Sequence, residues 1–263
     1  MTDSEFRILF VADVVGQPGR EAVKAILPRL KEEVRADLTI LNGENAAGGF
    51  GLTAKLVSEL RSCGADVITT GNHVFAQKEF AGELPKLDRV LRPANYPPSA
   101  PGQGWCLVEA GGRQVLVMNL IGRIFLDPLD DPFRTADAIL AAHPEAKVVF
   151  CDMHAEATSE KTAMGWYLDG RASAVVGTHT HIPTADARVL PGGTAYVTDV
   201  GMVGPRDSCI GMDKQVVIQR FLSGVPNRFV VASGPVTFNS VLVTINHSTG
   251  RATTIQRIDR EHV

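Results

Sequence analysis

Apolar and polar positions along this chain follow two rhythms. Short apolar runs such as RILFVA (7–12), DLTILN (37–42) and DVITT (66–70) are β-branched and too brief for helices, so they predict buried strands. Between the first two, Val23, Ile26, Leu27 and Leu30 fall three and four apart and predict a helix over about 21–33. Between the second and third, a helix is expected over about 53–63, with Thr53 as its cap and Gly64 just past its end. This βαβαβ order predicts a parallel sheet with right-handed crossovers. Further on, WCLVEAGGRQVLVMNL predicts a hairpin turning at Gly-Gly. DPFRTADAILAAH, TSEKTAMGWYL and DKQVVIQRFL predict helices, and KVVFCDM, ASAVV, TAYVTDV, RFVVASG, SVLVTINH and RATTIQRI predict strands. There is no repeat, low-complexity block or linker, so one domain over 1–263 is expected, with two sheets faced by helices.

The polar residues that follow the strands are what suggest chemistry. In open α/β sheets, ligands bind beyond the carboxyl ends of the strands. There stand Asp13, then Glu44 and Asn45 in GEN, Asn72 and His73 in GNH, His154, and His179 and His181 in GTHTH. Taken singly, each has a bland explanation: an Asp after a strand commonly caps a helix, GEN suits a turn, and a lone histidine is usually a loop residue. Their conjunction at five strand ends is what points to metal. Imidazole, carboxylate and amide donors favour zinc, iron or manganese, and no thiolate cluster argues for a structural zinc. Two cations about 3.5–4 Å apart need a bridging ligand, and Glu44 is the natural carboxylate for it. In an extended segment His179 and His181 would point the same way and serve one cation each, with Gly177 allowing close backbone approach. Cys151 reads as a core residue. Asp152, and more weakly Glu156, read as partners that hold a ligand imidazole in its tautomer. His143, His247 and His262 read as structural or solvated.

Composition narrows the field. A chain of 263 residues with 44% apolar and 21% charged residues has the profile of a soluble globular protein. A net charge of −3 gives no bulk attraction to nucleic acid or an anionic membrane. No apolar run approaches the roughly 18 residues of a spanning helix, and the acidic start MTDSEF does not read as a signal peptide. Cys63, Cys106, Cys151 and Cys209 stand far apart, as expected of reduced thiols in the cytoplasm. The Gly-rich loop AAGGFGLTAK lacks G-K-[ST] and the G-x-G-x-x-G spacing, so it is expected to shape the metal pocket and not to cradle a nucleotide.

Asp13, GEN, GNH, a later lone His and G-x-H-x-H, in that order, resemble the motif series of calcineurin-like metallophosphoesterases. Val15 stands where that superfamily's D-x-H has its histidine, and Glu44 replaces the usual aspartate. Both departures, with ILNGENAAGGFGLT, TTGNH, LRPANYP, GRIFLDPLDDPF, HAEATSEKTAMGWYLDGRASAVVGTHTHIPTAD and TAYVTDVGMVGP, resemble the YmdB-like phosphodiesterase branch along almost the whole chain. The resemblance implies a four-layer αββα sandwich with two mixed sheets flanked by helices. It implies that Asp13, Asn45 and His181 hold one metal, that Asn72, His154 and His179 hold the other, and that Glu44 bridges them. Asn45 takes the place of the missing histidine. The resemblance also implies iron or manganese as the two ions, a homo-oligomer, and activity on 2′,3′-cyclic nucleotides.

The expected chemistry is attack on phosphorus by a metal-bridging hydroxide, with His73, free of metal, assisting the leaving oxygen. Two other readings stay open: a phosphomonoesterase using the same metals, and a metal-dependent sensor with little turnover. A stable nucleic-acid complex and a membrane location are not expected.

Overall fold

The structure is a computed structural model that describes residues 5–263. The first four residues, part of the acidic start weighed above, lie outside the described residues. One six-stranded sheet runs in the order Ala252–Arg257, Ser240–Asn246, Glu5–Val11, Leu38–Asn42, Val67–Thr69, Val90–Leu91. Its last four strands are parallel and its first two antiparallel. The second sheet runs Arg188–Val189, Ala195–Val197, Ala174–Thr178, Val148–His154, Arg113–Ile121, Trp105–Ala110, with a parallel centre and antiparallel edges. The described helices are α1 (Gly16–Val34), α2 (Ala54–Ser62), α3 (Phe80–Glu83), α4 (Pro132–Ala142), α5 (Thr158–Tyr167) and α6 (Lys214–Ser223).

Three apolar clusters define the four layers expected from the resemblance. Leu9, Val11 and Leu41 on the outer face of the first sheet pack with Val23 and Leu27 of α1 and Val57 and Leu60 of α2. Leu116, Val149, Cys151 and Met153 on the outer face of the second sheet pack with Ala136 and Ile139 of α4 and Met164 of α5. Between the sheets lie Ile8, Phe10, Ile40, Val117, Phe150 and Val176. The stacked Phe10 and Phe150 rings, 5.4 Å apart, join the two sheets and add about 0.5–1.5 kcal/mol beyond the area they bury.

The inner faces change character along the strands. Side chains alternate with period two, so positions 148, 150, 152 and 154 share a face, as do 38, 40 and 42. Their early members, Val148, Phe150, Leu38 and Ile40, are apolar core. Their late members are Asp152, His154 and Asn42, all buried. Thr69, Asn119 and Thr178 repeat this on neighbouring strands, also buried. The gap between the sheets is therefore oily at one end and polar at the carboxyl end. Asn42 Nδ2 donates across it to Asp152 Oδ2 at 3.1 Å.

Local signals mostly hold. Thr53 Oγ1 accepts from the Leu56 amide at 3.3 Å, and Asp131 and Asp213 cap α4 and α6 in the same way. Helix α1 begins earlier than expected, at Gly16, with Pro18 in its first turn, where a missing N–H costs nothing. The third sheet was not foreseen. It has four short strands, Arg260–His262, Val236–Phe238, Met202–Pro205 and Asp13–Val14. RFVVASG is a correction: it forms no strand, and Val231 makes one isolated bridge to Met212. Two backbone hydrogen bonds, Asp213 N–H to Val230 O and Ala232 N–H to Gly211 O, join it to a neighbouring segment too short to make a ladder. The extended GTHTH segment is a second correction. The strand stops at Thr178, and His179 and His181 have φ of 96° and 63°. Among the described residues, no helix is long and apolar enough to cross a membrane.

Gly177 is where the strand meets the Thr198 carbonyl, and a Cβ would collide with it. Gly177→Ala is expected to cost about 2 kcal/mol, the usual penalty of overpacking, and to lower the melting temperature by roughly 4–8 °C. Thermal unfolding checks this, and an unchanged midpoint would show that the contact yields freely.

Candidate metal centre

All eight residues singled out in the sequence meet at the polar end of the inter-sheet gap. Asp13, Asn45 and His181 form one group. Asp13 Oδ1 lies 3.9 Å from His181 Nε2, and Asn45 Nδ2 lies 3.2 Å from the same nitrogen. Asn72, His154 and His179 form the other, with Asn72 Oδ1 at 2.9 Å from His154 Nε2 and the two imidazole rings 4.7 Å apart. Glu44 stands between them, its Oε1 3.2 Å from both His154 Nε2 and Asn45 Nδ2. Donor atoms of Glu44, His154 and His179 all lie within 4.8 Å of one another. Gly71 makes room, since a Cβ there would strike His154 Nε2 and Glu44 Oε2.

Neighbours fix the imidazole tautomers. His181 Nδ1 donates to the Ile210 carbonyl at 2.9 Å, which turns the Nε2 lone pair inward. His154 Nδ1 lies 2.9 Å from Thr178 Oγ1, whose own hydrogen goes to Asp152 Oδ1 at 2.7 Å. Nδ1–H is therefore the donor, and Nε2 faces the centre. Asp152 thus acts on His154 through the Thr178 hydroxyl. Thr69 and Asn42 donate to its other oxygen. Glu156 Oε2 reaches His179 Nε2 directly, at 3.1 Å.

The left-handed turn that aims His179 and His181 is clamped from below. Lys161 of α5 and Asp199 form a fully buried ion pair at 2.7 Å. Asp199 Oδ2 also accepts from the Thr180 amide and hydroxyl, at 3.1 and 2.6 Å. Non-glycine residues with positive φ cost of order 1–3 kcal/mol each unless their surroundings over-determine them, and this clamp supplies that constraint. The sequence does carry a signal for it: Lys161 sits three and seven residues before the buried Met164 and Leu168, a charge on an apolar stripe.

The donors fit a cation. His154 Nε2 faces two acceptors, Glu44 Oε1 and Asn72 Oδ1, which requires a proton or a metal among them. Asp13 Oδ1 is buried without any hydrogen-bond partner. Asn45 turns its amide oxygen to His73 Nδ1 at 2.8 Å and its nitrogen to Glu44 and His181, which both need donors. A half-turn of that amide would bring the oxygen round to the Asp13 side.

Electrostatics reflect the crowding. Burial raises Asp13 well above the ordinary carboxyl range, with Glu44, Asp199 and Asp152 adding to the rise against the pull of His154. Burial also opposes ionisation of Glu44, but His154, by charge and hydrogen bond, outweighs it with help from His73 and His179 and holds Glu44 below its ordinary value. Burial disfavours a charge on His154, yet Glu44, Asp13 and Asp152 overcome it and lift the group to about 9. Burial and then the His154 charge push His179 down to about 3. His181 and His73 are lowered chiefly by burial.

His73 stands at the mouth, part-exposed, with the Phe50 ring edge-on at 4.9 Å. A cavity of about 570 Å³ opens there, lined by Glu44, Asn45, His73, His179 and His181 on one side. Two cavities of about 630 Å³ lie elsewhere, beside Arg92 and Trp105 and beside Arg123 and Phe133, and neither is lined by a histidine. The remaining histidines are peripheral: His143 stacks on Trp105, His247 meets Arg113, and His262 lies in an edge strand.

The model of the YmdB-like protein family matches residues 9–258. The chain is 53% identical over 253 residues to the 2′,3′-cyclic-nucleotide 2′-phosphodiesterase of Bacillus subtilis (strain 168), covering 96% of each chain. A crystal structure described as a hypothetical protein from Thermus thermophilus superposes with a TM-score of 0.93 at 46% identity, covering 98% of this chain and 100% of that one. A structure described as a novel phosphatase from Mycoplasma pneumoniae superposes with a TM-score of 0.93 at 33% identity, covering 98% and 94%.

The shifts of His154 and His179 have opposite signs for stability. His154, raised from 6.5 to about 9, stabilises the fold fully below pH 6.5 and loses that contribution as pH climbs to about 9. His179, lowered from 6.5 to about 3, contributes above pH 6.5 and loses it as pH falls toward 3. Metal-stripped protein should therefore lose stability as pH rises from 6.5 to about 9 and as it falls toward 3, and His154→Gln should lessen the alkaline loss, the raised carboxyl of Asp13 supplying what remains. Parallel alkaline limbs in variant and wild type would mean that the Glu44–His154 pair does not form.

Proposed function

This chain belongs to the YmdB-like protein family, and from that premise we propose that it is a metal-dependent phosphodiesterase that opens 2′,3′-cyclic nucleotides. The observation that carries this reading is the position of Glu44 between two donor groups, each made of imidazole and oxygen. The activity in the name of the Bacillus subtilis relative, at 53% identity, supports the substrate class.

In this reading Asp13, Asn45 and His181 would hold one cation and Asn72, His154 and His179 the other, with Glu44 available to both. Iron or manganese suits the mixture of imidazole and hard oxygen donors. When bound, such a pair supplies an activated water and neutralises phosphoryl charge. The chain's own residues do the rest. Nδ1 of His73 lies against the Asn45 side-chain amide, whichever way that amide is turned, which leaves Nε2 for substrate. Burial lowers the pKa of His73, against the pull of Glu44, so its imidazolium is a stronger acid once it has formed. That proton goes to the ribose 2′ oxygen as the P–O bond breaks, leaving the 3′-phosphate. Such general-acid help contributes about 10²–10⁴-fold. The Ile210 carbonyl and the Asp152–Thr178 relay keep both ligand imidazoles oriented, a role that outer partners of metal histidines commonly fill. Four free cysteines, Cys63, Cys106, Cys151 and Cys209, support a cytoplasmic setting.

Metal-loaded protein should hydrolyse 2′,3′-cyclic AMP far faster than p-nitrophenyl phosphate; the reverse order would make it a phosphomonoesterase. His73→Ala should keep both metals by elemental analysis yet lose about 10²–10⁴-fold in kcat, whereas loss of the metals would make His73 a ligand. Glu44→Gln should weaken both sites together, and loss of one ion alone would count against a bridge.

A further inference from the structure

The cavity continues past the metal donors into a wall that the chemistry above does not use. This wall is formed by Phe50, Met212, Val217, Arg220, Phe221 and Phe229. Its volume of about 570 Å³ falls within the roughly 300–1,000 Å³ of small-molecule sites, so it accommodates more than a phosphate. Two features of the wall are unusual. Phe221 lines the cavity yet is 85% exposed, so its ring serves no core. The Arg220 guanidinium sits over the Phe229 ring, 5.0 Å from its centroid. A ring face takes none of the guanidinium's in-plane hydrogen bonds, so the donors stay available to a ligand.

We propose that this annex, with Phe221 as a stacking wall and Arg220 as a donor fork, binds the base of the substrate nucleotide and prefers guanine. The proposal rests on the cyclic-nucleotide reading above. A base linked to a ribose whose phosphodiester lies at Glu44 and His73 must leave the metal end of the cavity, and the aromatic wall is continuous with that end. Aromatic side chains accept any base by its π-face, so Phe221 supplies affinity without sequence choice. Arg220 supplies the choice. Its fork only donates, and guanine offers two acceptors, O6 and N7, on one edge. Adenine offers N7 beside an amino group that is itself a donor, which repels the fork.

Two variants of manganese-loaded protein test this: Phe221→Ala, at an exposed ring, and Arg220→Gln. Substrates are the 2′,3′-cyclic phosphates of guanosine and adenosine and of base-free 1-O-methylribose. Wild type should rank guanosine first and the base-free sugar last in kcat/KM. Phe221→Ala should shrink the ratio of purine to base-free substrate by about fivefold or more, through KM. Arg220→Gln should shift the guanosine-to-adenosine ratio about tenfold toward adenosine, because a glutamine amide pairs with adenine N6 and N7. Both ratios staying within twofold of wild type would overturn the annex. The Kd values for 3′-GMP, 3′-AMP and ribose 3-phosphate are measured on the same proteins. If no cyclic diester turns over but these constants follow the variant pattern, the hydrolase reading falls and the annex stands. Turnover with flat ratios and flat Kd values leaves the hydrolase and removes the annex.

Discussion

Lone pairs brought together out of water demand positive charge, and that demand organises the rest of this molecule. Asp13, Glu44 and His154 are fully buried, with Glu44 Oε1 3.2 Å from His154 Nε2 and Asp13 Oδ1 3.9 Å from His181 Nε2. An isolated buried carboxylate costs many kcal/mol, so such a cluster survives only with protons or cations in it. The raised pKa of His154 and the unpartnered Asp13 oxygen are two expressions of that unmet need. Metal ions held there would answer both at once, and so the geometry that burdens the bare fold is the geometry that suits phosphoryl chemistry.

Holding the donors there takes a stiff frame. Two sheets are pinned face to face by an apolar filling, and their strands end together at the polar rim. The polar rim is itself stitched across the gap by Asn42 and Thr69 on Asp152, which Thr178 of its own sheet also holds. Where the strand gives out, at His179 to His181, a buried ion pair takes over the role of the sheet. Buried pairs seldom add net stability, but losing one partner of such a pair is costly, and this one holds a strained turn in a single conformation. Rigid elements thus position the metal end, while the annex hangs on α6 and a strandless segment.

The sequence by itself determined two sheets faced by helices and the inventory of candidate site residues. Period-two and period-3.6 patterning are local properties, so they placed most strands and the main helices, and the rule that sites lie beyond strand ends gathered Asp13, Glu44, Asn45, Asn72, His73, His154, His179 and His181. What only the tertiary structure decided is pairing across distance and backbone shape at the rim. RFVVASG has strand composition but finds only a single bridge at Met212, and the short strands of the third sheet exist only because neighbours far along the chain present edges. The positive φ of His179 and His181 depends on Lys161 and Asp199, which stand well before and well after the two histidines in sequence, and on the Ile210 carbonyl. No local pattern encodes such contacts, because the free energy that fixes them comes from burial supplied by other segments of the chain.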